Sequence, residues 1–490
     1  MTDEPVGPMG DSVIHQASLS CLMLGLSSTA GSPPSTNWTD IFVNYGRNLL
    51  RRLRHRESDA HRDGAWHGIL RNTGWLLIGK IVGAVLSLIY LGLATRSLGP
   101  TAFGQFVLIL GTGQAIATIV SFETWQLLLR YGMGFLRAGQ SEALGRLIAF
   151  CTILDLAGAI IGACMAVAGV ALLGPRFGWS SGTQTQALIF CFVLLVSFRS
   201  AATGVLRLHD RFGAAALAET VTPVVRLIGA LLVIGMGASV IGLLIAWAVA
   251  ELVTAIAHWA LAFRVLPPRR GWWHWQGLLT VPKECSGLWR YAAITNAGAT
   301  MGLVGKQFAV LLVGASVSPA AAGGYRIAHQ LGQALANISD MLSRATFSEM
   351  MRARAGHTAA ELARLFRSAS LLALITAAIM IAMLLLFGRP TLALLAGGRY
   401  AAVYPLVLIL GTAAALDAGS VSFEPALLAT GRIWLALRLR FVSTAFLFCA
   451  LVLFLEKMGT IGAALATLMA SLLALLLLGT AAWRAVHEPR

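Results

Sequence analysis

Residues 240–262 read VIGLLIAWAVAELVTAIAHWALA, with Glu251 as the single formal charge. A helix needs roughly 20 apolar residues to cross about 30 Å of hydrocarbon. This stretch is therefore predicted to span a bilayer, and blocks like it recur from Thr73 almost to the C-terminus. The spans are predicted at 73–95, 104–128, 147–173, 187–206, 214–236, 240–262, 290–314, 323–343, 368–387, 403–426, 441–456 and 461–483. Composition agrees: 57% of the 490 residues are hydrophobic, 12% are charged, and the mean hydropathy is +0.76. A soluble chain of this length needs far more polar surface to cover its core.

Twelve spans place both termini on one side, and the loops say which. With the N-terminus inside, 27 of the 37 Lys and Arg residues lie on the inner side, 5 on the outer side and 5 within spans. The positive-inside rule makes the termini cytoplasmic. The formal charge of +16 is thus a topology signal in short loops, and a nucleic-acid partner is excluded. Inner loops such as Glu361 to Arg367 are Arg-rich and amphipathic, and are expected to lie against anionic membrane lipids.

Residues 1–70 have another character. They are rich in Ser, Gly, Pro and Asp and carry the basic run Arg51-Arg52-Leu53-Arg54-His55-Arg56. The apolar stretch Leu19 to Leu26 is too short to span and follows acidic residues, unlike a signal peptide. A disordered cytoplasmic tail is expected here, a composition equally consistent with a start downstream of Met1. Cys21, Cys151, Cys164, Cys191, Cys285 and Cys449 show no metal-ligand spacing and read as packing residues.

The segment Leu266-Pro267-Pro268-Arg269-Arg270-Gly271-Trp272-Trp273-His274-Trp275 divides the chain near its middle, and sequences on either side match. Pro100-Thr-Ala-Phe-Gly104-Gln-Phe106 aligns with Pro319-Ala-Ala-Ala-Gly323-Gly-Tyr325, and Ile241-Gly242-Leu-Leu-Ile-Ala246 with Ile461-Gly462-Ala-Ala-Leu-Ala466. The offsets, 219 and 220, agree. The expected organisation is an all-α integral membrane protein of two parallel six-helix halves around a central cavity. Residues 71–265 form the first half, 266–288 a cytoplasmic linker, 289–485 the second half, and 486–490 a short cytoplasmic tail. Transporters built from such repeats alternate access by rocking one half against the other.

At this point a family resemblance enters. Arg96-Ser-Leu-Gly-Pro-Thr-Ala-Phe-Gly104 resembles the signature of polysaccharide transporters of the MOP (MATE-like) superfamily, which includes Wzx-type flippases. So do Arg399-Tyr-Ala-Ala-Val-Tyr-Pro-Leu-Val-Leu-Ile-Leu410, Leu428-Ala-Thr-Gly-Arg432 and Gly459-Thr-Ile-Gly-Ala-Ala-Leu-Ala-Thr467. The resemblance covers about residues 70 to 485, and the order and spacing of the motifs carry it. It implies a flippase of a bacterial inner membrane that moves an undecaprenyl-pyrophosphate-linked oligosaccharide, an O-antigen, capsule or exopolysaccharide unit, to the outer leaflet by alternating access. It also implies an ion gradient as the driving force. Polysaccharide polymerase and export proteins are further expected partners. No GxxxxGK[ST] motif is present, so ATP is not expected to be consumed; no other cofactor and no metal is expected either.

Charges at membrane depth cost a few kcal/mol each and mark function. The basic ones are Lys80, Arg199, Arg226, Lys306 and Arg326, of which Arg199, Arg226 and Lys306 lie near mid-span. A diphosphate headgroup wants such cations, because guanidinium pairs bidentately with phosphate oxygens. These five are the candidate substrate-binding residues. Glu123, Asp155, Glu219, Glu251, Asp340, Asp417 and Glu424 are the acidic counterparts. Glu219 and Arg226 lie two turns apart on one helix face, flanking Pro223, and Asp340 and Arg344 form an i,i+4 pair. Asp155, Glu251 and Asp417 lack a neighbour of that kind and are the candidate ion-coupling carboxylates. The competing reading is a MATE-type cation or drug exporter coupled to H+ or Na+, which the deep cations oppose. A membrane enzyme is disfavoured, since the short outer loops hold Glu456 as their one acidic residue and no His.

Overall fold

The computed structural model describes residues 65–266, 277–334, 359–430 and 432–487. In order these form α1 Ala65–Leu98, α2 Pro100–Val120 and α3 Thr124–Leu127, which runs through a π turn at Leu128–Gly132 into α4 Met133–Arg137. Then come α5 Ser141–Leu173, α6 Ser181–Val196, α7 Ser200–Leu208, α8 Phe212–Gly235 and α9 Val240–Val265. A 3₁₀ turn Leu278–Thr280 and α10 Val281–Glu284 lead to α11 Leu288–Ser316, followed by α12 over residues 319–334. The remainder is α13 Ala359–Ala396, a 3₁₀ segment Gly398–Val403, α14 Tyr404–Gly419, α15 Phe423–Ala429 and α16 Ile433–His487. The described residues contain no strand, as an all-α membrane protein requires, since only helices and closed barrels satisfy the backbone in lipid.

Local chemistry sets the boundaries. Pro100 starts α2, where its missing N–H costs nothing, behind Gly99 at φ 76°. Ser180 and Ser239 cap α6 and α9 through their hydroxyls.

Eight described helical stretches are long and apolar enough to cross a membrane. They cover the spans expected between 104 and 262 and from 368 onward. The last, Trp434–Val486, is 53 residues long, and a straight helix of that length would reach about 80 Å. It is interrupted at Gly459 (φ 59°, ψ −137°). A Cβ placed on Gly462 would lie 2.0 Å from the carbonyl oxygen of Phe454, eight residues earlier. In a continuous helix those residues stand about 12 Å apart, so the chain doubles back here and the stretch is two antiparallel helices. The spans expected at 73–95 and 290–314 fall within α1 and α11, and the one at 323–343 begins in α12 and runs beyond the described residues.

Three predicted spans are broken. Residues Ser121–Glu123 separate α2 from α3, Ser197–Arg199 separate α6 from α7, and Ser420–Ser422 separate α14 from α15. Residues 70–490 form one compact unit and residues 1–69 another, the latter described only from 65 onward. Residues 65–70, assigned above to the tail, are the opening turns of α1; the expected disorder of 1–64 lies outside the described residues. Cys151, Cys191 and Cys285 are buried, as packing residues should be, whereas Cys164 and Cys449 lie on the surface. Cys21 lies outside the described residues.

Glycines let helices before residue 266 reach helices after residue 288. A Cβ on Gly104 of α2 would stand 1.9 Å from the Pro319 carbonyl oxygen, and one on Gly323 3.2 Å from the Gly104 Cα. Arg96, at the end of α1, donates to the carbonyls of Ala393 and Leu394 at the end of α13. Phe103 meets Tyr400 edge to face at 6.4 Å.

Candidate functional site

Glu251 lies three turns into α9 and is buried at 7% exposure. Each of its carboxylate oxygens accepts from a different arginine. Arg199 Nη1 donates to Oε2 at 2.7 Å and Arg226 Nη2 to Oε1 at 2.5 Å. The α8–α9 hairpin sets the second contact: Arg226 lies about ten residues before the turn and Glu251 about twelve after it, so both reach one depth. The first contact comes from the break after α6, where Arg199 is the N-cap residue of α7 with φ −142° and ψ 7°.

Aromatic rings fix the Arg226 guanidinium. Its Nη1 donates to Tyr90 Oη at 3.3 Å, and its Cζ lies 5.9 Å from the Tyr90 ring centroid and 5.4 Å from that of Trp247. Trp247 is held edge-on by Tyr90 (5.0 Å) and Phe106 (5.1 Å), so the arginine rests on a rigid aromatic bed. Arg326 of α12 lies close enough to Tyr90 and Arg226 to interact electrostatically with both. It donates to Gln307 Oε1 at 3.5 Å, and Gln307 Nε2 donates to Gln114 Oε1 at 2.8 Å. Two guanidinium groups therefore share one carboxylate, and a third, that of Arg326, interacts electrostatically with one of the two. The group carries a surplus of two positive charges, the arrangement that receives an anion with two negative ones.

Asp155 of α5 does a different job. It accepts from Thr124 Oγ1 on both oxygens at 2.9 Å and from the Ala201 amide at 3.0 Å. It thereby satisfies the first turn of α7 and ties it to the start of α3. The Trp125 amide donates to Ser200 Oγ at 3.2 Å, joining the same two helix starts. Glu123 takes a left-handed conformation (φ 48°), and its carboxylate accepts from Trp125 Nε1 at 2.5 Å.

Of the expected substrate-binding residues, Arg199 and Arg226 come together on Glu251 and Arg326 stands beside them. Lys80 and Lys306 fall in α1 and α11, but their side chains lie outside the described residues. Among the expected ion-coupling residues, Glu251 sits between the arginines and Asp155 is the strut just described. Asp417 is exposed on α14. The expected local pairing of Glu219 with Arg226 is not made: Glu219 is half exposed with an oxygen 3.9 Å from His258 Nε2, and Arg226 turns to Glu251 across the hairpin. Asp340 and Arg344 lie outside the described residues. Sequence reasoning missed Tyr90, Trp247, Gln114 and Gln307. Gln114, an isolated amide within an apolar span, was the readable signal among them.

The family described as "Polysaccharide biosynthesis protein" matches this chain over residues 69–350. "Inner membrane protein YghQ" of Escherichia coli (strain K12) is 29% identical over 350 residues, 70% of this chain and 97% of that one. Among solved structures, a multidrug resistance MATE transporter of the MOP superfamily in an inward-facing conformation superposes with a TM-score of 0.66. The identity is 15%, over 83% of this chain and 96% of that one. The lipid II flippase MurJ, inward closed, gives a TM-score of 0.65 at 13% identity over 83% and 87%. At such identities the two structures speak for a shared fold.

Proposed function

Because this chain belongs to the polysaccharide biosynthesis protein family, we propose that it is a flippase for undecaprenyl-pyrophosphate-linked oligosaccharide. The coarser statement needs no proposal: it is a multi-pass inner-membrane protein with the fold of MOP-superfamily transporters. On our reading both termini are cytoplasmic and the headgroup enters from that side. The observation that carries the substrate is the arginine group. A sugar diphospholipid bears two negative charges, and Arg199 and Arg226 paired on Glu251, with Arg326 near Arg226, leave two positive ones.

The transport cycle follows from that balance. With no substrate, Glu251 holds Arg199 and Arg226 in place and lowers the cost of keeping them at membrane depth. An arriving diphosphate offers more oxygens and more charge to the same guanidiniums, and draws them from the carboxylate. Glu251, freed of its partners at membrane depth, then takes up a proton, which assigns it to ion coupling. No bond is made or broken in the cargo. A cation exporter would need the reverse polarity, since an incoming cation meets two surplus guanidiniums here.

The test is an Arg199→Gln/Arg226→Gln variant in a strain lacking the chromosomal copy. We expect lipid-linked oligosaccharide to accumulate and surface polysaccharide to fall at least tenfold, since two charge-assisted contacts of about 1.5–3 kcal/mol each are lost. Full export by that variant would refute the site. An unchanged lipid pool in the deletion strain, with altered dye efflux, would refute the substrate.

A further inference from the structure

We infer that the seam between α2 and α11 is a saccharide subsite, distinct from the arginine group and adjoining it; the inference rests on the flippase reading. The seam is lined by neutral polar side chains in two apolar helices. On α2 these are Gln114, Thr118 and, just past its end, Ser121; on α11 they are Asn296, Thr300 and Gln307. Their spacings, close to multiples of a helical turn, put each set on one face. The two faces meet through Gln307 Nε2 to Gln114 Oε1 at 2.8 Å and through Asn296 Nδ2 to the Ser121 carbonyl. Thr300 Oγ1 donates to Asn296 Oδ1 at 3.3 Å. All six residues are half-buried, whereas apolar neighbours such as Leu110, Val310 and Val313 are sealed.

The chemistry suits a sugar. Carboxamides and hydroxyls both donate and accept, as vicinal sugar hydroxyls do, and none of the six bears a charge. A contact such as Gln114–Gln307 can part around an incoming hydroxyl without leaving either amide unsatisfied, because the hydroxyl replaces both the donor and the acceptor. Location points the same way. In a sugar diphospholipid the first sugar is bonded directly to the diphosphate, so its subsite must begin where the phosphate site ends. Arg326 marks that junction, since it donates to Gln307 at 3.5 Å and is near enough to Arg226 to interact with it electrostatically. From Gln307 to Asn296 the helix rises about 16 Å, the length of a short oligosaccharide.

The experiment compares two lipids on the purified full-length chain. One is the undecaprenyl-diphosphate saccharide pool of the native host; the other is undecaprenyl diphosphate itself, with no sugar attached. We expect the intact chain to bind the sugar-bearing lipid about tenfold more tightly, and Gln114→Leu/Asn296→Leu, which leaves Gln307 to Arg326, to lose that preference while keeping its affinity for the bare diphospholipid. Equal binding of both lipids by the intact chain would overturn the subsite and leave the flippase reading standing. So would a double variant that keeps the preference. A double variant that loses both lipids would overturn it too, because the amides would then only hold the helices together. Binding of neither lipid by the intact chain would instead defeat the flippase reading itself.

Discussion

At the scale of single residues, the informative one is Glu251. A lone carboxylate at membrane depth is costly, and a lone arginine equally so, yet one Glu251 serves two arginines whose side chains are 27% and 13% exposed. Removing it leaves two guanidiniums without a counter-charge. Glu251→Ala should therefore destabilise the folded protein by about 2–4 kcal/mol, less than a fully buried pair because Arg199 keeps some solvent. Thermal unfolding in detergent checks this, and Glu251→Ala combined with Arg226→Met should recover part of the loss. Much of this site was legible in the chain. Arg199, Arg226 and Glu251 stand out as charges inside apolar blocks, and the α8–α9 turn places two of them at one depth. The aromatic bed was not legible, because Tyr90 and Trp247 look like any interfacial or core aromatic until the helices are packed.

Helices carry the next level of order, and here the breaks matter most. In each of the two halves expected from the sequence, the fourth predicted span is interrupted, after Val196 in the first and after Gly419 in the second. In both, a side chain from the preceding long helix bonds into the break: Asp155 to the start of α7, and Ser370 of α13 to Ser422 at 3.2 Å. Broken helices at such depth need polar partners for the backbone groups they release. Asp155→Asn keeps acceptors for the Ala201 amide and the Thr124 hydroxyl, so we expect a loss under about 1 kcal/mol. Asp155→Leu strands both and should cost about 2–3 kcal/mol. Protease sensitivity and thermal unfolding of the two variants in parallel give the comparison. Hydropathy read the spans and their order well, but it was blind to the breaks. Ser121-Phe122-Glu123 and Ser197-Phe198-Arg199 are too short to lower the apolar average of a window. The left-handed Glu123 announces nothing in sequence, since a glutamate rarely adopts that conformation.

For the whole molecule, the question is what must move. Around the arginine group, first-segment helices meet second-segment ones through polar side chains that can part, such as Gln114 and Gln307. Around Gly104 they meet backbone to backbone, with no space for a single added carbon before the Pro319 carbonyl. Gly104 and Gly323 are the positions aligned by the 219-residue sequence offset, and they face one another, which makes the contact nearly symmetric. Packed surfaces resist intermediate separations, so we expect such a contact to be either fully made or fully parted. Arg96, reaching the carbonyls of Ala393 and Leu394, latches the made state with a bond that parts along with it. On our orientation this seal lies on the outer side, so it must open for the headgroup to leave. Gly104→Val cannot form it. The variant should hold the outer side open, raise labelling of an Ala320→Cys reporter by a membrane-impermeant maleimide about tenfold or more, and slow export, because the closed state that admits cargo from the cytoplasm becomes rare. Arg96→Gln, which loosens the latch but leaves the glycines in contact, should raise labelling by a smaller factor and slow export less. Unchanged labelling in Gly104→Val would mean that this contact is a fixed joint and that the halves part somewhere else.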